Sequence, residues 1–411
     1  MEQTAMKRNF IWYAAGNVIY LLCQWVITIL VPILGSFEEA GLLSVAMSVS
    51  ATFQTVALFG IRNFQVSDIE EKYRDATYAG LRLITCGAAM LLCVGFSLIN
   101  RYFGVQLLAI LLFMTFRLSE NYSDVLHGIV QRRRRLDLAG KSFALKGIGS
   151  LIFFVAGYLI SGNLNVGLVL MTVFSLLSLA VYDMPSAQKL SRFRLTDSMS
   201  RCCKLARETL PLCIYVFLYV SITTIPKLIL EKQCGETVLG IYSSIFAPAM
   251  LLQSATAYLY NPFATSFAEF WQTKDRRAFY GLFKKIALAI LAVALLALLA
   301  AFFLGEFALV LVFGEEIRPH VGLFMPIVVV NIAIAYLGFF CMIAVILRVF
   351  RWLLAGCGIG FGLCAVLTAP LIEQFGPNGA SYSLIASIVL GCAVLFGGIL
   401  LQTRSMNPIT S

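Results

Sequence analysis

The chain has 411 residues, of which 60% are hydrophobic and only 13% are charged. A soluble protein of this size carries far more polar surface, so the composition excludes a soluble globular protein and indicates a polytopic membrane protein. The net charge of +10 does not indicate nucleic-acid binding, because the basic residues concentrate in particular connections between apolar runs.

Twelve apolar stretches are long enough to cross a bilayer, which takes about 20 residues per helix. They predict an all-α polytopic protein with twelve transmembrane helices. In chain order, the stretches cover residues 10–34, 39–60, 79–99, 103–126, 143–161, 164–183, 210–231, 237–261, 285–304, 322–346, 352–371 and 379–401. Residues 305–321 are not assigned to a transmembrane helix, because their apolar part is too short to cross the bilayer and also fits a position in the membrane interface.

Lysine and arginine residues alternate between the two sides of the predicted membrane. By the order of the stretches, 26 of the 31 basic residues fall on one side. The positive-inside rule makes this side cytoplasmic and places both termini there. The first apolar run exceeds the length of a signal peptide core and lacks a small-residue cleavage site, so we expect it to remain as the first helix.

The two halves of the chain share a weak repeat. At an offset of 199 residues, Gly41 and Gln54 align with Gly240 and Gln253, with three further identities nearby. Because each half has six stretches, the repeat predicts two parallel six-helix lobes with a substrate site between them. The predicted domains are an N-terminal lobe of residues 1–184, a basic cytoplasmic linker of residues 185–208 and a C-terminal lobe of residues 209–411.

The linker mixes basic residues with apolar ones. This pattern fits contact with anionic lipid headgroups at the inner membrane surface. It fits a solvated connection equally well, and the sequence does not separate the two interpretations.

The fourth stretch carries three charged residues, although a charge near the bilayer centre costs about 2.5–3.5 kcal/mol on insertion scales. Arg117, Glu120 and Asp124 have the spacing i, i+3 and i+7, which places them on one helix face. One interpretation is a local pair of Arg117 with Glu120 that neutralises itself against a neighbouring helix. The other is a role in handling a substrate or a cation.

Other polar residues inside the stretches allow two interpretations each. Lys227 in the seventh stretch either extends to the outer interface or projects into a cavity and attracts an anion. Asn17, Gln24, Gln54 and Gln253 either form interhelical hydrogen bonds or line a shared cavity.

No pattern in the sequence indicates an enzyme. His127 and His320 are isolated in sequence, and neither a nucleophile motif nor a phosphate-binding glycine loop occurs. The eleven cysteines include no Cys-x-x-Cys pair and are interpreted as packing residues, without disulfides or metal. We therefore expect no cofactor and no metal. An ion gradient or the substrate gradient would supply the energy, and the coupling ion, Na+ or H+, is not assigned.

Two motifs together resemble a known family. Residues 60–68, GIRNFQVSD, lie at the inner end of the second stretch. The fourth stretch has the pattern Arg117-x-x-Glu120-x-x-x-Asp124-x-x-x-Gly128-x-x-Gln131, followed by basic residues. Both resemble bacterial polysaccharide transporters of the O-antigen flippase type, within the multidrug/oligosaccharidyl-lipid/polysaccharide flippase superfamily. The resemblance covers nearly the whole chain and is stronger in the first half.

The resemblance implies a V-shaped pair of helical bundles around a central cavity in the bacterial cytoplasmic membrane. It implies transport of an undecaprenyl-diphosphate-linked oligosaccharide, such as an O-antigen or capsule repeat unit, from the cytoplasmic to the outer leaflet. Arg117 and Lys227 would attract the diphosphate, and Arg62 would help at the cytoplasmic entrance. Glu120 and Asp124 would orient Arg117 or exchange a coupling cation.

The expected partners are this lipid-linked substrate and membrane lipids, with no nucleic acid. We expect the chain to function as a monomer, and association with a polysaccharide assembly machinery stays open.

Two alternatives remain at this point. A multidrug exporter of the same superfamily would need an acidic group deep in its first lobe. The first stretch has Asn17 and Gln24 but no acid, which disfavours an exporter, whereas Glu120 keeps this alternative open. A membrane-embedded glycan polymerase would need an ordered external loop with catalytic Arg or His residues, and the outer connections are short.

Overall fold

The structure is a computed structural model that describes residues 2–68, 71–191, 193 and 197–404. Side chains are described for these residues except 2–7 and 67. Throughout the described part, the chain forms α-helices joined by short turns, and this part contains no β-strand. The predicted all-α class is confirmed.

Helices α1 to α9 run through the first half of the chain. Their bounds are α1 Glu2–Leu34, α2 Phe37–Leu58, α3 Ile61–Ser67, α4 Asp75–Ile99, α5 Gly104–Arg132, α6 Leu136–Ser161, α7 Leu164–Ser178, α8 Met184–Leu190 and α9 Met199–Cys234. A π-helical turn, Leu179–Asp183, joins α7 to α8.

Helices α10 to α15 complete the described chain. Their bounds are α10 Glu236–Tyr260, α11 Ala264–Gln272, α12 Arg276–Phe313, α13 Phe324–Ile346, α14 Phe350–Phe375 and α15 Asn378–Thr403.

Eleven helical segments of the described residues are long and apolar enough to cross a membrane. The remaining predicted span corresponds to α5, which has 29 residues. At about 1.5 Å per residue it is long enough for a hydrocarbon core of about 30 Å. Its charged and polar residues make it less apolar than the other eleven segments. With this number of membrane-spanning helices, the chain is a multi-pass membrane protein.

The unassigned segment of residues 305–321 divides into two parts. The helix α12 begins where the Asp275 carboxylate accepts a hydrogen bond of 2.8 Å from the Ala278 N–H, and it continues to Phe313. Gly314 then adopts a φ of 81° and ends the helix, because glycine tolerates positive φ. The following residues, Glu315–Leu323, form a 3-10 helix that leads into α13.

The described helices form two compact units. The first contains the residues up to Gly35 and Leu42–Val220, and the second contains Ser36–Gly41 and the residues from Ser221 onward. The division falls inside α9, beyond the predicted linker of residues 185–208. Described linker residues pack on the first unit, where Ala187 and Phe193 join an apolar cluster with Tyr73.

Helix α5 occupies the centre of the first unit. It packs against α3, α4, α6, α7 and α8, and more than half of its residues are buried. Its polar side chains therefore face protein rather than lipid, which is the usual environment of ionisable groups within membrane helices.

Helices α1 and α6 approach each other closely at two glycines. A Cβ atom on Gly140 would overlap the backbone of Trp12, and one on Gly16 would overlap the backbone of Gly140. Small residues at such crossings allow backbones to pack in direct contact. The α1–α6 pair thus fixes the wall of the first unit that carries Tyr13 and Tyr20.

We expect the substitution Gly140→Ala to lower the free energy of unfolding by about 1–3 kcal/mol, because overpacking forces the backbones apart. The matched control is Gly87→Ala in α4, where a Cβ would meet open space and alanine favours the helix by about 0.5–1 kcal/mol. Thermal unfolding in detergent measures both effects. Equal unfolding midpoints for Gly140→Ala and Gly87→Ala would contradict the close approach of α1 and α6.

Helix α13 is the most buried helix of the second unit and packs against α10, α12, α14 and α15. Helices α14 and α15 cross at glycines, where a Cβ on Gly391 would lie 2.9 Å from the Gly356 carbonyl oxygen. This core is largely apolar, in contrast to the polar interior of the first unit.

Candidate functional site

The interior of the first unit holds three connected groups of polar side chains along α5. Each group contains one carboxylate from Asp124, Glu120 or Asp183, and each carboxylate is paired with at least one basic side chain.

The first group joins two arginines to one carboxylate. Asp124 accepts hydrogen bonds from Arg62 Nη1 at 2.8 Å and from Arg82 Nη2 at 2.9 Å, one on each carboxylate oxygen. Arg82 has a side-chain exposure of 0% and also donates to the Ala57 carbonyl oxygen at 2.8 Å. Two positive charges on one negative charge leave this group with an excess of positive charge.

Arg62 connects this group to a cavity. Its Nη2 donates to the Tyr13 hydroxyl at 3.1 Å and to Gln131 Oε1 at 3.2 Å. The four side chains of Tyr13, Arg62, Asp124 and Gln131 line a cavity of about 650 Å³. Gly60, with a φ of 65°, separates α2 from α3 and lets the short α3 turn Arg62 toward α5, since glycine tolerates this conformation.

The second group contains the predicted pair of Arg117 and Glu120. Arg117 Nη1 lies 2.9 Å from Glu120 Oε2 and donates to the Tyr20 hydroxyl at 3.1 Å. The Tyr20 hydroxyl in turn donates to Glu120 Oε1. The pair is therefore local, as one interpretation expected, and it is also tied to α1.

Arg117, Glu120 and Asp124 lie along one wall of a second cavity, of about 230 Å³. The predicted shared face of α5 thus opens on a cavity. Gln54 also lines it and donates a hydrogen bond of 3.0 Å to Asn121 Oδ1, so Gln54 forms an interhelical hydrogen bond at the cavity wall.

The third group is almost fully enclosed. Lys146 Nζ lies 2.6 Å from Asp183 Oδ2, and the two side chains are 2% and 1% exposed. Ser123 Oγ donates to the same carboxylate at 2.6 Å, and His127 Nε2 lies 3.4 Å from Asp183 Oδ1. Asp183 belongs to the π-helical turn, a feature that often occurs at functional positions.

The structure corrects the sequence interpretation of three residues. His127 is not isolated, because the π turn brings Asp183 to it. Arg82 and Lys146 were counted among the basic residues that set the topology, yet both lie buried within helices and pair with carboxylates. A basic residue inside a predicted span needs an acidic partner, and this signal was available for both residues.

Lys227 and Gln253 belong to the second unit. Lys227 is half-buried, and its Nζ lies 4.5 Å from the centre of the Phe246 ring, a cation–π distance. Gln253 is half-buried on α10.

Asn17 and Gln24 are half-buried on α1. Neither residue is among those that line the two cavities beside α5. Gln24 Nε2 is buried without a hydrogen-bond partner among the described residues.

The charges of the three groups do not cancel. The cations are Arg62, Arg82, Arg117 and Lys146, and the anions are Glu120, Asp124 and Asp183. Among the described residues of these groups, four positive charges face three negative charges. The planar guanidinium group is suited to bidentate contact with phosphate oxygens, so the arrangement is able to bind an anion.

No family model matches this chain. A curated relative, the capsular polysaccharide biosynthesis protein CapF of Staphylococcus aureus, is 24% identical over 403 residues, which cover 98% of this chain and 93% of the relative.

Solved structures of MATE transporters share the fold. An outward-facing multidrug resistance MATE transporter of the MOP superfamily has a TM-score of 0.64 at 12% identity, covering 98% of this chain and 96% of that chain. The Vibrio cholerae MATE transporter VcmN in its bent form has a TM-score of 0.59 at 13% identity, covering 98% of each chain. The chain therefore has the fold of the MOP superfamily, the multidrug/oligosaccharidyl-lipid/polysaccharide flippase superfamily that its sequence resembles.

Proposed function

We propose that this chain moves an undecaprenyl-diphosphate-linked oligosaccharide from the cytoplasmic to the outer leaflet of a bacterial plasma membrane. The observation that carries the proposal is the Asp124 group, in which two arginines share one carboxylate at the wall of a cavity of about 650 Å³. A diphosphate is the type of ligand that such an excess of positive charge favours. The name of the Staphylococcus aureus relative, a capsular polysaccharide biosynthesis protein, supports the same class of substrate.

Of the two arginines that contact Asp124, Arg62 is the better placed to contact the ligand first. Its side chain is 18% exposed, whereas that of Arg82 is 0% exposed. Arg62 can therefore turn toward a phosphate group in the cavity while Arg82 keeps Asp124 neutralised. The charge of Asp124 is never left unpaired in this exchange, which avoids the several kcal/mol that an isolated buried ion costs.

Arg117 is the second contact in this proposal. It lines the cavity of about 230 Å³ that also includes Asp124, so the two cavities share one carboxylate as a wall. A diphosphate has two phosphate groups, and Arg62 and Arg117 would each hold one or receive them in succession. Glu120 and Asp124 then serve to orient the two arginines.

A multidrug exporter is the second candidate, because the solved structures that share the fold include multidrug resistance transporters. In this chain Glu120 and Asp124 are already paired with arginines. A cationic drug would have to displace a guanidinium group from each carboxylate and would meet the remaining positive charge. This electrostatic arrangement favours the anionic substrate.

We propose alternating access as the mode of transport, both termini in the cytoplasm and a monomeric functional unit. The concentration of basic residues in alternate connections supports the orientation through the positive-inside rule.

The test is transport of a fluorescent lipid-diphosphate oligosaccharide between leaflets of reconstituted vesicles. We expect Arg117→Ala to slow transport by a factor of about 10 to 100, because a charge-assisted hydrogen bond contributes about 1.5–3 kcal/mol. The matched control is Arg318→Ala, since Arg318 is an exposed arginine of the second unit, and its rate should equal that of the wild type. Undiminished transport by Arg117→Ala at normal expression would remove Arg117 from the mechanism.

A further inference from the structure

A separate cavity lies at the ends of α4, α5 and α9 in the first unit. Its volume is about 620 Å³, within the range of small-molecule sites. It shares no lining residue with the two cavities beside the Asp124 group. The charged residues that line it are Glu71, Arg74, Asp75, Arg132, Arg133, Asp197 and Arg201.

The acidic residues of this cavity are already paired. Arg132 lies 3.3 Å from Glu71 and 3.1 Å from Asp75, and Asp75 also accepts a hydrogen bond of 2.6 Å from Ser191 Oγ. The Asp197 carboxylate is paired with Arg201 and accepts a hydrogen bond from Thr77 Oγ1. At Asp197, the hydrogen bond from Thr77 and the pairing with Arg201 outweigh burial and lower the pKa of the carboxyl group. All three acids therefore already have partners within the described part of the chain.

Two of the arginines that line the cavity take no part in these ion pairs. Arg74 and Arg133 are exposed, and within the described part of the chain neither guanidinium group has a carboxylate partner. Among the described lining residues, four are positively charged and three are negatively charged. An additional anion would have two unused guanidinium groups to bind.

The same cavity has an apolar side. Phe193 and Tyr73 line it and belong to the apolar cluster between α4, α5 and α9. A ligand that carries both a phosphate group and an acyl chain would use the arginines and this apolar side together, whereas a free phosphate would use the arginines alone.

The position of the cavity fits a membrane surface. Asp75 and Met199 begin two of the apolar spans, and the charged C-terminal end of α5 lies at Arg132. These ends belong to the side with most of the basic residues, which attracts anionic lipids. We propose that this cavity binds the phosphate-bearing headgroup of an anionic phospholipid, which holds the start of α9 against α4 and α5.

The experiment measures phosphatidylglycerol binding to the full-length protein in detergent by native mass spectrometry, with phosphatidylcholine as the uncharged reference. We expect a clear preference for phosphatidylglycerol. The double variant Arg74→Ala/Arg133→Ala should weaken its binding about tenfold or more, since each basic residue near an anionic lipid surface contributes about 1 kcal/mol. Phe193→Ala should weaken it as well.

The matched control is Arg277→Ala/Arg351→Ala, two exposed arginines of the second unit, which should bind like the wild type. Equal loss in both double variants, or equal binding of the two lipids, would overturn the proposal. Soluble glycerol phosphate that competes as well as the lipid would assign the cavity to a free phosphate instead. Because the readout is lipid binding, its outcome is independent of whether the chain transports a lipid-linked glycan.

Discussion

The substitution Asp183→Asn is expected to lower the free energy of unfolding by about 3–5 kcal/mol, the cost of breaking a buried ion pair by removing one partner. Lys146 is 2% exposed and lies 2.6 Å from the Asp183 carboxylate. Without this carboxylate, the ammonium group stays buried without a compensating negative charge. Unfolding in mixed micelles of increasing sodium dodecyl sulfate content measures the change.

A second substitution separates loss of charge from loss of packing. Adding Lys146→Met to Asp183→Leu removes both charges, and we expect the double variant to recover most of the lost stability, because apolar replacement of a whole buried pair is often neutral. The control Glu306→Gln removes a carboxylate that is 61% exposed and lies 3.6 Å from Arg318. Exposed pairs of this kind contribute about 0–1 kcal/mol. If Asp183→Asn lost as little stability as the control Glu306→Gln, the result would contradict a buried ion pair.

The substitution Asp124→Asn is expected to have an effect of similar size, about 3–5 kcal/mol. It leaves the guanidinium groups of Arg62 and Arg82, which both contact Asp124, without a negative charge between them. Thermal unfolding in detergent is the measurement. Unlike Asp183→Asn, this variant should regain stability when inorganic pyrophosphate is added, because the anion can take the place of the carboxylate beside the cavity.

The control for this result is Asp124→Asn combined with Arg82→Leu. One buried positive charge is then removed, so the loss of stability should be smaller and the response to pyrophosphate should weaken. Equal midpoints for the wild type and Asp124→Asn, with no response to the anion, would show that the two arginines do not depend on this carboxylate.

The fold was largely predictable from the sequence because apolar run length is a strong local signal. The predicted spans match the described helices within several residues at most ends. The larger departures are α9, which begins at Met199 rather than near residue 210, and α12, which extends to Phe313. There the residues from 305 onward continue one apolar helix, and only Gly314 with its positive φ ends it. A sequence search that accepts only apolar runs of full membrane-spanning length does not detect this extension of α12.

The candidate site was predictable only in part. The spacing of Arg117, Glu120 and Asp124 predicted one shared helix face, and the structure places the three residues along one cavity wall. The partners of Asp124 were not predicted, because Arg62 and Arg82 reach it from α3 and α4 across the bundle. Such pairings depend on tertiary packing, which a single sequence does not encode in any local pattern.

The third group illustrates the same limit. Asp183 pairs with Lys146 only because a π turn interrupts the helical register between α7 and α8. Regular helical spacing in the sequence does not predict this turn. A charged residue at the end of one apolar stretch and another within a neighbouring stretch are nevertheless a usable indication of a buried pair.

The most direct test of the account compares the response of Asp124→Asn and of Arg62→Gln to a short-chain polyprenyl diphosphate, measured as the shift of the unfolding midpoint. We expect the ligand to raise the unfolding midpoint of Asp124→Asn at least as much as that of the wild type, and to raise the midpoint of Arg62→Gln less. A cationic dye should not shift the unfolding midpoint of the wild type or of either variant. A shift of the wild type by the cationic dye that disappears in Asp124→Asn, with no response to the polyprenyl diphosphate, would contradict an anion site and favour the exporter.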